Sequence, residues 1–277
     1  MGRLIDHLRS LGMSNRDAKR ALQTGKVYVR DAPVADPTRD VDAALVRVRD
    51  NAPRVRVGAD IVIVHRDDHL AVVFKPPGML SVPAPGRRDA RTVVGEAARA
   101  LGGALPVHRL DEPTSGLMLV ARTERCQLAL KDLLFRHDVE RAYLALVRGR
   151  FPTEPTAVRN VLVRDRGDGR RGSGSPSTPN GKPAATVFRL VAPVGRNASL
   201  VEARLETGRT HQVRIHLAEL GYPVLGDPLY GEGVARAAPR LALHARLLGF
   251  RHPFGAGELR FETELPDDLE RLRRDLA

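Results

Sequence analysis

The chain has 277 residues, 42% hydrophobic and 28% charged, enough to bury the core of one or two globular domains. No apolar run approaches the ~20 residues that cross a membrane, the charged start Met1–His7 does not read as a signal peptide, and the single Cys126 cannot form an internal disulfide. A cytoplasmic location is the default expectation, and the formal net charge of +12 points to a polyanion, most often nucleic acid.

Residues 3–30 carry seven basic residues (Arg3, Arg9, Arg16, Lys19, Arg20, Lys26, Arg30) against two acids, Asp6 and Asp17. Leu4, Leu8 and Leu11 repeat at helical spacing. Ser14 with Asp17 starts a second helix in the manner of a capping box. That helix carries Ala18, Ala21 and Leu22 and stops at Gly25. Val27, Val29 and Val34 alternate around a turn at 30–33. Two helices and a hairpin with a basic face resemble the small RNA-binding domain named after a ribosomal small-subunit protein. The resemblance implies that Arg16, Lys19, Arg20 and Lys26 contact RNA.

Residues 36–59, rich in Asp, Arg and Pro, read as a linker, so the expected domains are 1–55 and 56–277. Ile61–Val64 and Leu70–Phe74 read as strands, and Lys75–Pro83 as a rigid loop on the floor of a cleft. Residues 107–123 then run Val-His-Arg-Leu-Asp-Glu-Pro-Thr-Ser-Gly-Leu-Met-Leu-Val-Ala-Arg-Thr. Pro113 fixes a turn, Gly116 relaxes the backbone, and Leu117–Val120 read as a buried strand. Asp111 therefore sits on a tight polar turn held by an apolar element. Such an arrangement presents a carboxylate to a ligand, although turn or capping aspartates share the pattern.

Glu124–His137 reads as a helix with a broad apolar face of Leu128, Leu130, Leu133, Leu134 and Phe135. Cys126 reads as a small core filler. Arg141–Gly149 reads as a strand that bears Tyr143, and residues 164–182, rich in Arg, Gly, Ser, Pro and Asn, as a loop. Ser199–Leu205 reads as a strand. In Thr207–Ala218, Thr210 can cap a helix with Val213, Leu217 and Leu220 on its apolar face. Arg214 falls on the polar side, which leaves its charge outside the core. His211 and His216 are five apart, a poor metal pair on a helix. Leu259–Glu262 reads as a last strand and Asp267–Leu276 as a surface helix. Alternating strands and helices make the class α+β.

His-Arg-Leu-Asp followed by Thr-Ser-Gly resembles the signature of the RluA-like family of RNA pseudouridine synthases. The resemblance extends over about residues 60–265. Asp67–Pro83 resembles the family's first motif, with Phe74 where an Asn usually stands. The runs 207–218, 221–231 and 243–245 match later ones. The resemblance implies a mixed, largely antiparallel sheet with flanking helices and a central basic cleft. It implies isomerisation of uridine to pseudouridine in large-subunit rRNA, tRNA or both. It makes Asp111 the nucleophile, Arg214 its basic partner with Arg209 the second choice, and Tyr143 the residue that packs on the target base. Arg109, Arg209 and His211 would contact RNA, Arg109 filling the gap of a flipped base. No cofactor or metal is expected, since no phosphate loop or cysteine cluster stands in the chain. The expected partner is RNA, without a membrane; no protein partner is evident and a monomer is expected. Two rivals remain. A non-catalytic RNA-binding or ribosome-assembly protein could retain the fold, and a glycosidase would need a second carboxylate across a cleft.

Overall fold

The computed structural model describes residues 2–23, 27–29, 32–33, 38–48, 61–255 and 257–277. In the first part lie β1 (Gly2–Arg3), α1 (Leu4–Ser10), α2 (Asn15–Gln23), β2 (Val27–Val29), β3 (Ala32–Pro33), β4 (Asp40–Val41) and β5 (Val46–Val48). Ser14 caps α2 as expected: Asp17 N–H donates to Ser14 Oγ (3.1 Å), and the Ser14 hydroxyl donates to the Asp17 carboxylate (2.6 Å). Leu4, Leu8, Ala18, Leu22, Val27 and Val46 pack into one hydrophobic cluster. The expected stop at Gly25, part of the turn at 30–33, Val34 and most of the linker lie outside the described residues.

The second part contains β6 (Val62–Arg66), β7 (Leu70–Lys75), α3 (Val93–Leu101), β8 (Leu105–Pro106), β9 (Ser115–Ala121), α4 (Glu124–Phe135), β10 (Val139–Arg148), β11 (Thr156–Val163), β12 (Gly172–Gly174), β13 (Lys182–Val194), β14 (Ala198–Leu205), α5 (Gln212–Glu219), β15 (Leu243–Arg251), β16 (Glu258–Glu262) and α6 (Asp267–Asp275). The strands form one sheet in the order β12-β11-β13-β14-β10-β15-β9-β7-β6, with β16 on β15 and β8 on β9. Only the β9–β15 pair is parallel, so the sheet is mixed and largely antiparallel. Among the described residues no helix is long and apolar enough to cross a membrane.

The core explains why β9 is a continuous apolar run. Met118 and Val120 face a cluster with Val93 and Ala97 of α3, while Leu117, Leu119 and Ala121 face one with Cys126 and Leu130 of α4. A strand covered on both faces loses the alternation of a half-exposed one. Thr92 and Thr123 cap α3 and α4 by accepting the N–H groups of Gly95 and Cys126.

β9 begins where a side chain cannot fit. Gly116 has φ +123°, and a Cβ there would lie 2.1 Å from the carbonyl oxygen of Ala245. This close approach lets the Asp111 run pair with Leu243–His244–Ala245, through Ser115 with His244 and Gly116 with Ala245. Ser115 Oγ and His244 Nδ1 are 3.0 Å apart, and burial pushes the His244 imidazole down to about 3, so it is neutral here.

Two expectations fail in this region. α4 ends at Phe135, and its buried stripe is Cys126 and Leu130 with Leu133 and Leu134 half-buried. Leu128 is 68% exposed and Phe135 82%. Leu128 lies two residues from both buried positions and so points away from the stripe. Residues 164–182 are not simply a loop, because Gly172–Gly174 pair with Val161–Val163. Backbone pairing of two glycines and a serine leaves no apolar pattern to read. Cys126 is buried as expected, and burial pushes its thiol up to about 11, which keeps it unreactive.

Candidate active site

The turn that carries Asp111 is gripped from below. Lys75, at the end of β7, has no exposed surface, and its ammonium donates to the carbonyls of Pro76 (2.9 Å), Glu112 (2.8 Å) and Thr114 (2.7 Å). Three donors meet three acceptors. Burial pushes this ammonium down to about 7, while the charges of Asp111 and Glu112 push back. Gly78 N–H donates to Glu112 O, and Ser81 both donates to Leu110 O and accepts from Leu110 N–H. The loop at 75–83 was expected on the cleft floor. Among the described residues none of it lines the cleft; it braces the backbone of the Asp111 turn instead.

Above the turn lies a cleft of about 570 Å³. Its walls come from the Asp111 run, from β10, from residues 208–214 and from the end of α4. Arg109, Lys131, Arg141, Arg209 and Arg214 line it, and Asp111 is the one acid among the described lining residues. The cleft is therefore basic around a single carboxylate.

Arg214 Nη1 donates to Asp111 Oδ2 at 3.0 Å across 103 residues of chain. Its other edge is committed elsewhere: Nε and Nη2 donate to the two oxygens of Asp227, each at 2.8 Å. Asp227 Oδ1 also accepts the N–H groups of Leu229 and Tyr230. Burial opposes the charge of Asp227, but Arg214 and these two N–H groups outweigh it and hold the carboxyl below its ordinary range. The exposures of the three side chains are 3% for Arg214, 1% for Asp227 and 16% for Asp111. Arg214 is thus not on a solvated helix face. It is a buried cation held by a buried anion, and it offers an N–H of Nη1 to Asp111. Asp111 Oδ1 takes no hydrogen bond among the described residues.

The start of α5 also differs from expectation. Thr210 does not cap it; His211 precedes it with φ +61° and no capping bond. The Gln212 side chain does the work instead. It accepts from Arg209 N–H (2.9 Å) and Thr207 Oγ (2.8 Å), and donates to Ala185 O (3.0 Å) and Thr186 Oγ (2.9 Å). The result turns His211 into the cleft, with Nε2 3.7 Å from Asp111 Oδ2 and Nδ1 2.9 Å from the Tyr230 hydroxyl. Burial, opposed by Asp111 and aided by Arg214, holds its imidazole below the ordinary value. The Tyr230 ring closes the set, with the Arg214 guanidinium 5.1 Å from its centroid.

Tyr143 stands half-buried on β10 and lines the same cleft. Burial pushes its phenol up to about 12, with Arg141 pulling down and Asp111 pushing up, so it is protonated at neutral pH. Arg109 is exposed on the cleft wall. Arg209 lies beside it in the lining but donates through Nε to Pro183 O (2.9 Å), and it makes no ion pair with Asp111. His108 is structural: its Nε2 accepts from Leu119 N–H (2.9 Å), and burial holds it neutral at about 3. Arg16 is exposed on α2; Lys19 and Arg20 lie on that helix with side chains outside the described residues, and Lys26 lies wholly outside them. His216 is turned away toward Thr186 and Asn160.

Asp227, Lys75 and Tyr230 were not singled out from the sequence. Asp227 stands in Leu225-Gly226-Asp227-Pro228, which reads as a turn. Both Asp227 and Tyr230 fall in the run 221–231, noted only as a match to a later family motif.

A family model described as RNA pseudouridylate synthase matches residues 69–219, which include Asp111, Tyr143 and Arg214. The chain belongs to that family. It is an RNA pseudouridine synthase, an isomerase, and the non-catalytic and glycosidase rivals fall away. It is 39% identical over 249 residues to the ribosomal large subunit pseudouridine synthase D of Zymomonas mobilis, which spans 84% of this chain and 77% of that protein. It is 36% identical over 204 residues to the dual-specificity RNA pseudouridine synthase RluA of Escherichia coli, spanning 73% and 92%. Of solved structures, the human RNA pseudouridylate synthase domain containing 1 matches with TM-score 0.60 and 27% identity over 78% of this chain and 94% of that one. Pseudouridine synthases isomerise a uridine within the RNA chain. They must break the bond from ribose to uracil nitrogen, turn the uracil, and rejoin it through carbon 5, with no net oxidation.

Proposed function

We propose that this enzyme acts on uridines of large-subunit ribosomal RNA, tRNA or both, in the cytoplasm, with Asp111 as its nucleophile. The observation that carries the reading is the Asp111 carboxylate, held through one oxygen by a buried arginine in an otherwise basic cleft. The ion pair fixes the carboxylate in place through one oxygen and leaves the other to face the cleft, as a nucleophile or base requires. Asp111 can act by attack on the sugar, by removal of a sugar proton, or by addition to the base. Tyr143 packs on the target uracil through its ring, and its protonated hydroxyl suits it to donate rather than to take a proton at the start of the reaction. Arg109, Arg209 and His211 contact the RNA at the cleft mouth, with Arg109 entering the space of the flipped base. The names of the relatives, one acting on the large ribosomal subunit and one of dual specificity, support these substrate classes.

Mapping pseudouridine in cells with and without the gene tests the substrate. One or a few positions in large-subunit rRNA or tRNA should lose pseudouridine and regain it when the gene is restored. If neither RNA changes, the substrate assignment is wrong.

Residues 1–55 act in this reading as a separate RNA-binding domain, with Arg16, Lys19, Arg20 and Lys26 as its RNA contacts. Its own hydrophobic cluster supports that role. A chain that begins at residue 56 should fold and isomerise uridine but bind RNA more weakly, and its affinity should fall less steeply with salt because fewer counterions are released. Calorimetry and binding at two salt concentrations check both points. A truncated chain that does not fold would make the segment part of the core.

A further inference from the structure

Phe135 is the most exposed large apolar side chain of the described residues, at 82%, and it lines the same cleft as Asp111. It is the last residue of α4, where the helix gives way to Arg136 and to His137 in the left-handed conformation. Lys131, one turn earlier, and His137 line the cleft beside it. Burial does not account for this ring: the stripe that packs α4 onto the sheet is Cys126 and Leu130, and Phe135 contributes nothing to it. An aromatic face beside Lys131, in a cleft that Arg109, Arg141 and Arg209 also line, meets the two requirements of single-strand recognition, a stacking surface and a charged track for the backbone.

We propose that Phe135 stacks on an unpaired nucleobase of the substrate RNA next to the target uridine. It thereby favours sites whose neighbouring nucleotide is free of pairing. When the target base turns in toward Asp111, its neighbour is left without one face of its stack, and the ring at the rim replaces it. The inference rests on RNA being the substrate. The other occupant of an exposed apolar ring would be a protein or a second copy of this chain. Leu128, seven residues earlier and 68% exposed, would join such an interface. Yet Leu128 is outside the cleft lining, whereas Phe135 is in it.

Fluorescence anisotropy on the full chain separates these cases. The probes are a labelled single-stranded 12-nucleotide oligouridylate and a strand of equal length and charge with tetrahydrofuran spacers in place of the nucleosides. The native enzyme should prefer the oligouridylate. Phe135→Ala should weaken oligouridylate binding by about tenfold, the scale of one lost stack, and leave the spacer strand unchanged. Phe135→Tyr should restore binding, and Leu128→Ala should change neither. An exposed ring can be removed without a folding cost, and thermal unfolding checks that. Native-like oligouridylate binding by Phe135→Ala overturns the proposal, as does an equal loss on both probes. Equal losses in Phe135→Ala and Leu128→Ala, with a change in oligomeric state, would assign the face to a protein contact. Failure of the native enzyme to bind either strand would count against the RNA reading itself.

Discussion

Arg214→Ala should cost both folding and catalysis. Removing the guanidinium leaves Asp227 buried with 1% exposure and only two backbone N–H groups for its charge. Breaking one side of a buried pair costs about 3–5 kcal/mol, or about 10 °C in the midpoint of thermal unfolding for a domain of this size. Isomerisation should fall at least about a hundredfold, the scale for loss of one aimed charged donor. The pH dependence has a definite sign. In the native protein Asp227 is held below its unfolded value, so its contribution to stability is present near neutrality and is lost as the pH falls through its folded value. In the mutant the uncompensated carboxyl is raised instead, and its penalty grows as the pH rises. The stability gap between the two proteins should therefore narrow toward pH 5 and widen toward pH 7. Arg214→Met with Asp227→Asn removes both charges and keeps an acceptor for the Leu229 and Tyr230 N–H groups. That double variant should regain much of the stability and none of the activity. If it regains activity as well, Arg214 matters only for folding.

The sequence-based expectation for Arg214 was right in its partner and wrong in its setting. Helical periodicity puts residue 214 at the flank of the face that carries Val213 and Leu217, and an arginine there reads as reaching solvent. Nothing local announces that Asp227, thirteen residues later in a turn, comes back to bury it. α4 fails for a related reason. Five apolar residues in one helix look like one broad face, but the sheet covers only the stripe through Cys126 and Leu130. The elements that were legible have local causes: the Ser14 cap, the start of α4 at Glu124, and the continuous apolar run of β9. The juxtaposition of Asp111, Tyr143 and Arg214 in one cleft was legible only through family resemblance, since their spacing in the chain carries no geometry. The Lys75 brace was hidden because a lysine at a strand end normally reads as solvated. The start of α5 was missed because the Gln212 side chain, not a hydroxyl cap, satisfies the turn before it.

Asp111→Asn should abolish isomerisation while it leaves the fold and RNA binding in place. The amide has nearly the shape of the carboxylate, and its oxygen can still accept from Arg214 Nη1. Arg214 keeps both bonds to Asp227, so no buried charge is stranded. Loss of one negative charge from a basic cleft does not weaken its hold on phosphates. What is lost is the one carboxylate among the described residues of the cleft, and an amide is neither a nucleophile nor a base at neutral pH. Activity should fall by at least about ten-thousandfold, as when the nucleophile of a concerted set is removed. Glu112 does not substitute, because it points to Arg87 outside the cleft.

The most direct measurement is single-turnover release of tritium from RNA labelled at carbon 5 of uridine, made on native and Asp111→Asn enzyme at RNA-saturating concentration. The native enzyme should release tritium as uracil is rejoined through that carbon, and the mutant should release none above background while it binds the same RNA with similar affinity. Release by the folded mutant at a rate near the native one would contradict the assignment of Asp111 as the group that carries the reaction.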